Sequence, residues 1–138
     1  MKRHIGSLSA LVLGVFVIAL VASAPAVAHH AFSAEFDSEK PTTKAGLVTK
    51  IEWTNPHIWF YLDVTGESGV TENWGFEMGP PHLIQARGWT RTTMNIGDEV
   101  TVEGSLARNG SNRVNARNVT WTDTGERMGA GSSQNITP

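Results

Sequence analysis

The sequence predicts an all-β domain, a small five-stranded barrel with one short helix between its third and fourth strands. Residues 57–64 alternate between aliphatic side chains and aromatic or polar ones, which is the period of a strand buried on one face. An Asn-Gly pair at residues 109–110 separates two strand-like stretches and favours a tight hairpin. A Gly-Pro-Pro triplet at residues 79–81 opens a short stretch that ends at Gly88, which is typical of a helix bounded by proline and glycine.

The start of the chain has the pattern of a secretory signal peptide. A short basic region precedes an apolar run at residues 8–22, and the small residues Ala26 and Ala28 fit the rule for cleavage after Ala28. The apolar run is shorter than the roughly 20 residues that a membrane-spanning helix needs. We therefore expect residues 1–28 to be removed on export to the periplasm or beyond, with no membrane association afterwards. An uncleaved N-terminal anchor is the alternative.

Charge and composition exclude several classes of function. Removing Lys2 and Arg3 with the signal peptide takes the basic residues from 11 to 9 against 13 acidic ones, so the net charge becomes 9 − 13 = −4 with neutral histidines. An acidic domain without a basic run argues against nucleic acid, whose phosphates demand clustered Lys and Arg. The sequence has 0 Cys, which excludes thiolate metal sites and thiol redox chemistry.

The predicted layout after the signal peptide has three parts. They are an N-terminal arm at residues 29–42, a barrel domain at 43–122 and a flexible C-terminal tail at 123–138. We expect Phe32 and Phe36 to pin an extended arm, because the nearby Ser, Asp and Pro favour irregular structure over one helical turn. The tail ends in small and polar residues, which favours disorder.

Five strands and one helix are predicted within the barrel domain. The strands cover residues 43–53, 57–64, 71–78, 99–106 and 113–121, and the helix covers residues 82–87. Alternation breaks between Val48 and Ile51, which predicts a bulge in the first strand. Five large side chains are expected to share the core: Trp53, Phe60, Trp74, Trp89 and Val102.

This order of elements is that of an oligonucleotide/oligosaccharide-binding (OB) barrel, in which a helix separates the third and fourth strands. An immunoglobulin-like sandwich is the alternative. The pattern disfavours it, because about seven strands would be expected.

The strongest functional signal is the outer face of the second strand. Ile58, Phe60, Leu62 and Val64 form its core face, whereas His57, Trp59, Tyr61 and Asp63 point the other way. Amphipathic aromatic side chains in a row are typical of a surface that meets a partner. We predict a ligand-binding face for a planar or sugar-like ligand or a partner protein, formed by His57, Trp59, Tyr61, Asp63 and Asn73. The alternative is a structural row that a loop, the helix or the arm covers.

The sequence gives little support to catalysis by side chains. It has no G-x-S-x-G motif and no paired carboxylate motif, so neither a serine hydrolase nor a glycosidase is indicated. It also has no glycine-rich phosphate loop and no haem-attachment motif. A non-catalytic binding or interaction module is therefore the first functional prediction.

Histidine supplies the alternative function, copper binding. Cleavage after Ala28 would leave His29 as the first residue, with His30 beside it. A free N-terminal histidine chelates a metal through its amine and imidazole together, and a nitrogen-rich set completed by His57 or His82 suits Cu(II). The opposing interpretation is a disordered end that binds metal weakly, with His57 a hydrogen-bonding corner residue and His82 a surface residue.

Four segments resemble a family of small exported bacterial proteins of unknown function. They are HHAF at residues 29–32, EWTNPH at 52–57, GWTR at 88–91 and GDEVTVEG at 97–104. The overall pattern is also similar to that of the periplasmic bacterial OB-fold proteins. The resemblance implies export and an OB-like fold, and it implies no activity, because a fold does not carry a function with it.

Overall fold

The computed structural model of this chain describes residues 32–131. The chain divides into a unit of residues 1–33 and a unit of residues 34–138, and the fold below is that of the second unit. The predicted signal peptide, both predicted N-terminal metal ligands His29 and His30, and the end of the predicted tail lie outside the described residues. Within the described range, no helix is long and apolar enough to cross a membrane.

Six strands and a short helix follow a helical stretch at residues 32–35. The elements are β1 (Phe36–Glu52), β2 (Trp59–Thr65), β3 (Thr71–Glu77), α1 (Pro81–Ala86), β4 (Glu99–Ala107), β5 (Arg113–Trp121) and β6 (Arg127–Gly129). The predicted mainly-β fold with a helix between the third and fourth strands is confirmed.

The strands form one sheet that closes on itself. Its order is β3-β2-β1-β4-β5-β6, and neighbouring strands run antiparallel. Residues 75–77 of β3 also pair in parallel with residues 113–115 of β5, so that β1 to β5 form a hydrogen-bonded ring. This short parallel pairing places the end of β3 beside the start of β5.

The first strand is longer than predicted. It begins at Phe36 rather than at residue 43, and Phe36 and Pro41 pair with Ala107 and Ser105 of β4. Pairing with β4 at Phe36 and from Pro41 onward extends the strand, and a register shift separates the two paired parts. The predicted bulge is present, because the register of β1 against β2 shifts between Val48 and Lys50.

The sixth strand was not predicted. β6 lies inside residues 123–138, which the sequence assigned to a flexible tail, and it pairs with β5. Ala130 is 0% exposed, and its N–H donates to the carbonyl of Arg117 at 2.8 Å. The indole N–H of Trp89 donates to the carbonyl of Gly129 at 2.8 Å. Backbone hydrogen bonds therefore stabilise a segment whose sequence shows almost no pattern of apolar residues.

The core lies inside the ring, and the predicted alternation of β2 is confirmed. Ile58, Phe60, Leu62 and Val64 are buried, whereas His57, Trp59 and Tyr61 are half-buried and Asp63 is exposed. Phe60 stacks on Phe76 of β3 with ring centroids 5.1 Å apart. Trp89 packs against Trp121 with centroids 5.5 Å apart, beyond the end of α1.

The predicted core set is only partly correct. Phe60, Trp89 and Val102 are buried, but Trp53 and Trp74 are only partly buried against the core. A cation lies over each of these indoles: Arg91 lies 5.8 Å from the ring centroid of Trp53, and Lys44 lies 4.1 Å from that of Trp74.

Candidate ligand-binding face

The five predicted ligand-binding residues share the outer face of the β2–β3 hairpin. Trp59, Tyr61 and Asp63 of β2 pair with Glu77, Gly75 and Asn73 of β3. Directly paired residues point to the same side of a sheet, and His57 continues the alternation of β2. We call this surface the hairpin face, formed by His57, Trp59, Tyr61, Asp63, Asn73, Gly75 and Glu77.

The centre of the hairpin face is a pair of aromatic rings over a glycine. A side chain at Gly75 would begin 3.3 Å from Cε1 of Tyr61 and 3.5 Å from Cζ3 of Trp59. Because glycine has no side chain, both rings can approach the backbone of β3. Both side chains remain half-buried, so part of each ring meets solvent. The result is a continuous aromatic surface along the hairpin.

Two cations lie over the rings of this aromatic surface. Arg113 of β5 lies 5.4 Å from the ring centroid of Trp59, and the Lys50 ammonium lies 5.1 Å from that of Tyr61. Both distances lie within the roughly 6 Å range of cation–π attraction. Lys50 also pairs with Glu52 at 2.6 Å, and the Tyr61 hydroxyl donates to the same carboxylate at 2.9 Å. These contacts fix the orientation of the Tyr61 ring.

The same contacts shift the titration of the groups involved. The hydrogen bond from Lys50, followed by that from Tyr61, lowers the pKa of Glu52. The pKa of Tyr61 is raised, first by burial and then by its hydrogen bond to Glu52. The carboxylate and the intact phenol are therefore the stable forms at neutral pH.

One end of the hairpin face is an amide–carboxylate pair. The Asn73 amide donates to Asp63 at 2.8 Å and to the hydroxyl of Thr49 at 3.1 Å. Thr49 lies in the register shift of β1, so the bulge brings its hydroxyl to the amide. Asp63 and Asn73 are both exposed.

The other end is an imidazole–carboxylate pair. Nδ1 of His57 contacts Oε1 of Glu77, whose side chain is only 8% exposed whereas that of His57 is 40% exposed. Burial is the largest cause of the raised pKa of Glu77; Glu35 adds to the rise, and His57 and a hydrogen bond from Asn115 oppose it. With Nδ1 directed at Glu77, Nε2 is the ring nitrogen left for another partner.

Of the other predicted metal ligands, His82 lies within the described residues, and His29 and His30 do not. His82 is exposed in the first turn of α1. Across residues 32–131, no group of three or more His, Cys, Asp or Glu side chains is placed to hold a metal ion. The copper prediction depends on His29 and His30, which are not described, and it stays a prediction.

Four residues of this region were not predicted from the sequence: Lys50, Gly75, Glu77 and Arg113. Gly75 and Glu77 share the phase of Asn73 in the third strand, so strand alternation alone would have placed them on the face. Arg113 reaches Trp59 only because β5 pairs with β3, a long-range contact that local pattern does not reveal.

Comparison with known proteins identifies a family but no activity. The chain matches the family described as "Family of unknown function (DUF6152)" over residues 17–116. No match to a curated protein was found. The matched range spans more than half of the chain and includes the whole hairpin face. The chain therefore belongs to this family of unknown function, DUF6152.

Proposed function

We propose that this protein is a non-catalytic binding module that holds a sugar-like ligand on the hairpin face. The observation that carries the proposal is the pair of rings, Trp59 and Tyr61, lying side by side over Gly75. The C–H face of a sugar packs well on aromatic rings, and sites that hold such ligands combine them with a few polar groups. Asp63 and Asn73 at one end and His57 at the other supply those groups.

The ring of strands supports this location for a ligand. In our proposal β1 to β5 form an OB-like barrel, since β1 is bulged and α1 separates β3 from β4. The ligand of an OB barrel usually meets the face of the second and third strands. This is fold-level analogy, which supports the position of the site and leaves the ligand to be argued from the side chains.

We also propose that the protein acts after export. The support is the basic start, the apolar run and the cleavage sequence ending at Ala28. Protein recovered from the periplasm should begin at His29, which a mass measurement checks. A mass that includes residues 1–28 would contradict export with cleavage and indicate an N-terminal anchor.

Titration with neutral oligosaccharides tests the binding proposal. We expect Trp59→Ala to weaken binding at least about tenfold, as removal of an aromatic hot spot does. Val70→Ala is the matched control, because Val70 is 59% exposed beside the β2–β3 turn and outside the face. Binding that Trp59→Ala leaves unchanged would contradict a site on the hairpin face. If a partner protein cross-links to this face and no oligosaccharide binds, the ligand of the face is a protein and not a sugar.

Cu(II) binding is the second candidate, and the contact between His57 and Glu77 favours it. Metal-binding histidines commonly direct their other ring nitrogen at a carboxylate. Here Nδ1 of His57 contacts Glu77, which leaves Nε2 for a metal. In this candidate His29 supplies the amine and imidazole chelate, and His57, His30 or His82 supplies a further nitrogen.

A copper titration of three forms tests this second candidate. Processed protein should bind Cu(II) more tightly than His29→Ala and more tightly than protein with an N-terminal extension, because both changes remove part of the chelate. Equal affinity in all three forms would eliminate the N-terminal site.

A further inference from the structure

A cleft of about 710 Å³ lies on the strands away from the hairpin face. Its walls come from β1, β4, β5, β6 and the residue that follows α1, and no residue of the hairpin face lines it. Three guanidinium groups, those of Arg87, Arg117 and Arg127, line the cleft with a single carboxylate, Glu103. A local excess of cations is therefore present in a chain whose formal net charge is −2.

Glu103 forms a salt bridge with only one of these arginines. It forms a salt bridge with Arg127 and accepts a hydrogen bond from the Asn118 amide at 3.1 Å. The hydrogen bond from Arg127 is the main reason that the pKa of Glu103 is lowered, and the charge of Arg117 adds to the effect. Glu103 is thus ionised and held in place by its partners on β5 and β6.

The other two guanidinium groups have no carboxylate partner among residues 32–131. Arg87 donates a hydrogen bond to the carbonyl of Gly131. This bond uses one N–H donor of the guanidinium group, and the neutral carbonyl does not offset its positive charge. Arg117 is exposed on β5 and forms no side-chain hydrogen bond within the described range. Both arginines line the same cleft as the Glu103 pair.

We propose that this cleft binds a doubly charged tetrahedral oxyanion, of the phosphate or sulfate class. Three arginines and one glutamate leave an excess of 3 − 1 = 2 positive charges in the lining, which matches two negative charges, and the guanidinium fork suits the paired oxygens of such an anion. Thr42 and Thr43 also line the cleft, and threonine carries a hydroxyl donor. This site is separate from the sugar-binding proposal and does not depend on it.

Calorimetric titration of the intact protein with inorganic phosphate tests the proposal, at neutral pH and at an ionic strength held constant with sodium chloride. Binding should saturate, and sulfate should compete with it. Arg117→Gln should weaken phosphate binding at least about tenfold, because a charge-assisted bidentate contact is lost. This variant should fold, since the Arg117 side chain is exposed and has no structural partner in the described part of the chain.

Two controls separate a site from general charge attraction. Arg91→Gln removes the same charge from an exposed arginine outside the cleft and should leave phosphate affinity unchanged. Trp59→Ala should also leave it unchanged, because Trp59 belongs to the hairpin face. Retained affinity in Arg117→Gln, an equal loss in Arg91→Gln, or the absence of saturable binding would overturn the proposal.

A phosphate ester separates the two sources of this anion. Tighter binding of glycerol phosphate than of inorganic phosphate assigns the cleft to a phosphate group carried by a larger molecule. Tighter binding of inorganic phosphate assigns it to the free anion. In both cases Arg117→Gln must weaken the preferred ligand for the site to stand.

Discussion

The imidazole of His57 contacts the carboxylate of Glu77 at the end of the β2–β3 hairpin, where Glu77 is almost fully buried. A buried carboxylate is costly unless it is paired and hydrogen-bonded. His57 supplies one partner and Asn115 of β5 supplies another. The pair therefore joins the end of the hairpin face to the closing contact between β3 and β5.

This pair predicts a pH dependence of stability. Burial raises the pKa of Glu77 above the ordinary value of 4.5. Between 4.5 and the raised pKa the folded state binds more protons than the unfolded state, so the contribution of Glu77 to stability falls as pH rises through that window. Glu77→Gln cannot ionise. The free energy of unfolding of Glu77→Gln minus that of the wild type should therefore increase as pH rises through this window. Urea denaturation at a series of pH values measures this difference.

Glu72→Gln provides the control for this prediction, because Glu72 is an exposed glutamate of the same strand. It should follow the wild-type pH profile. If Glu77→Gln and Glu72→Gln change stability by the same amount at every pH, the carboxylate of Glu77 does not have the assigned environment.

Truncation of Phe60 should be severely destabilising. Phe60 is 0% exposed and stacks on Phe76, so Phe60→Ala leaves a cavity in the middle of the core. We expect a loss of about 3–5 kcal/mol in the free energy of unfolding, measured by urea denaturation. Val70→Ala, at an exposed position, should change it by less than about 0.5 kcal/mol. A folded Phe60→Ala protein with the wild-type midpoint would disprove the core assignment.

A methyl group at Gly46 should also destabilise the fold. An added Cβ would lie 2.2 Å from the carbonyl oxygen of Asp63, a backbone atom of β2 that cannot move alone. We expect Gly46→Ala to cost at least about 1–3 kcal/mol, the usual effect of overpacking, and to lower the melting temperature. At Gly66 the nearest atom would be 3.7 Å away, so Gly66→Ala should melt close to the wild type. Similar melting of both variants would contradict this close approach of β1 and β2.

The segment around β6 should contribute to stability. A chain that ends at Glu126 lacks β6 and Ala130, and it leaves the buried indole of Trp89 without its acceptor at Gly129. Lost hydrogen bonds of about 1 kcal/mol each and newly exposed apolar surface should lower the free energy of unfolding by at least about 2 kcal/mol. The comparison is with a chain that ends at Gly131. Equal free energies of unfolding for the two chains would show that this segment does not pack against the fold.

Local patterns predicted much of the fold from the sequence. The alternation from Ile58 to Val64 gave both faces of β2 correctly, because a period of two survives in a strand with one buried face. The Asn-Gly pair at residues 109–110 gave the β4–β5 hairpin, and β5 has the predicted bounds, Arg113–Trp121. Gly110 has φ +76°, a left-handed conformation that glycine adopts without steric cost.

Long-range contacts account for what the sequence did not predict. β6 is held by backbone bonds to β5 and by Trp89, and its three residues carry no strand period. The buried partner of His57 and the cation beside Trp59 depend on the pairing of β3 with β5. Alternation therefore places the side chains of β2 and β3 on the hairpin face, but it does not reveal that Glu77 is buried or that Arg113 lies near Trp59.

Nuclear magnetic resonance of the indole N–H groups tests the central claim most directly. The chain has 5 Trp, and those at positions 89 and 121 are internal controls, because their indole N–H groups donate to Gly129 and Asp98. On titration with neutral oligosaccharides, binding at the hairpin face should shift the Trp59 indole signal in a saturable way and leave the signals of Trp89 and Trp121 unchanged. A Trp59 signal that no oligosaccharide moves, or equal shifts of all three signals, would contradict a sugar site on this face.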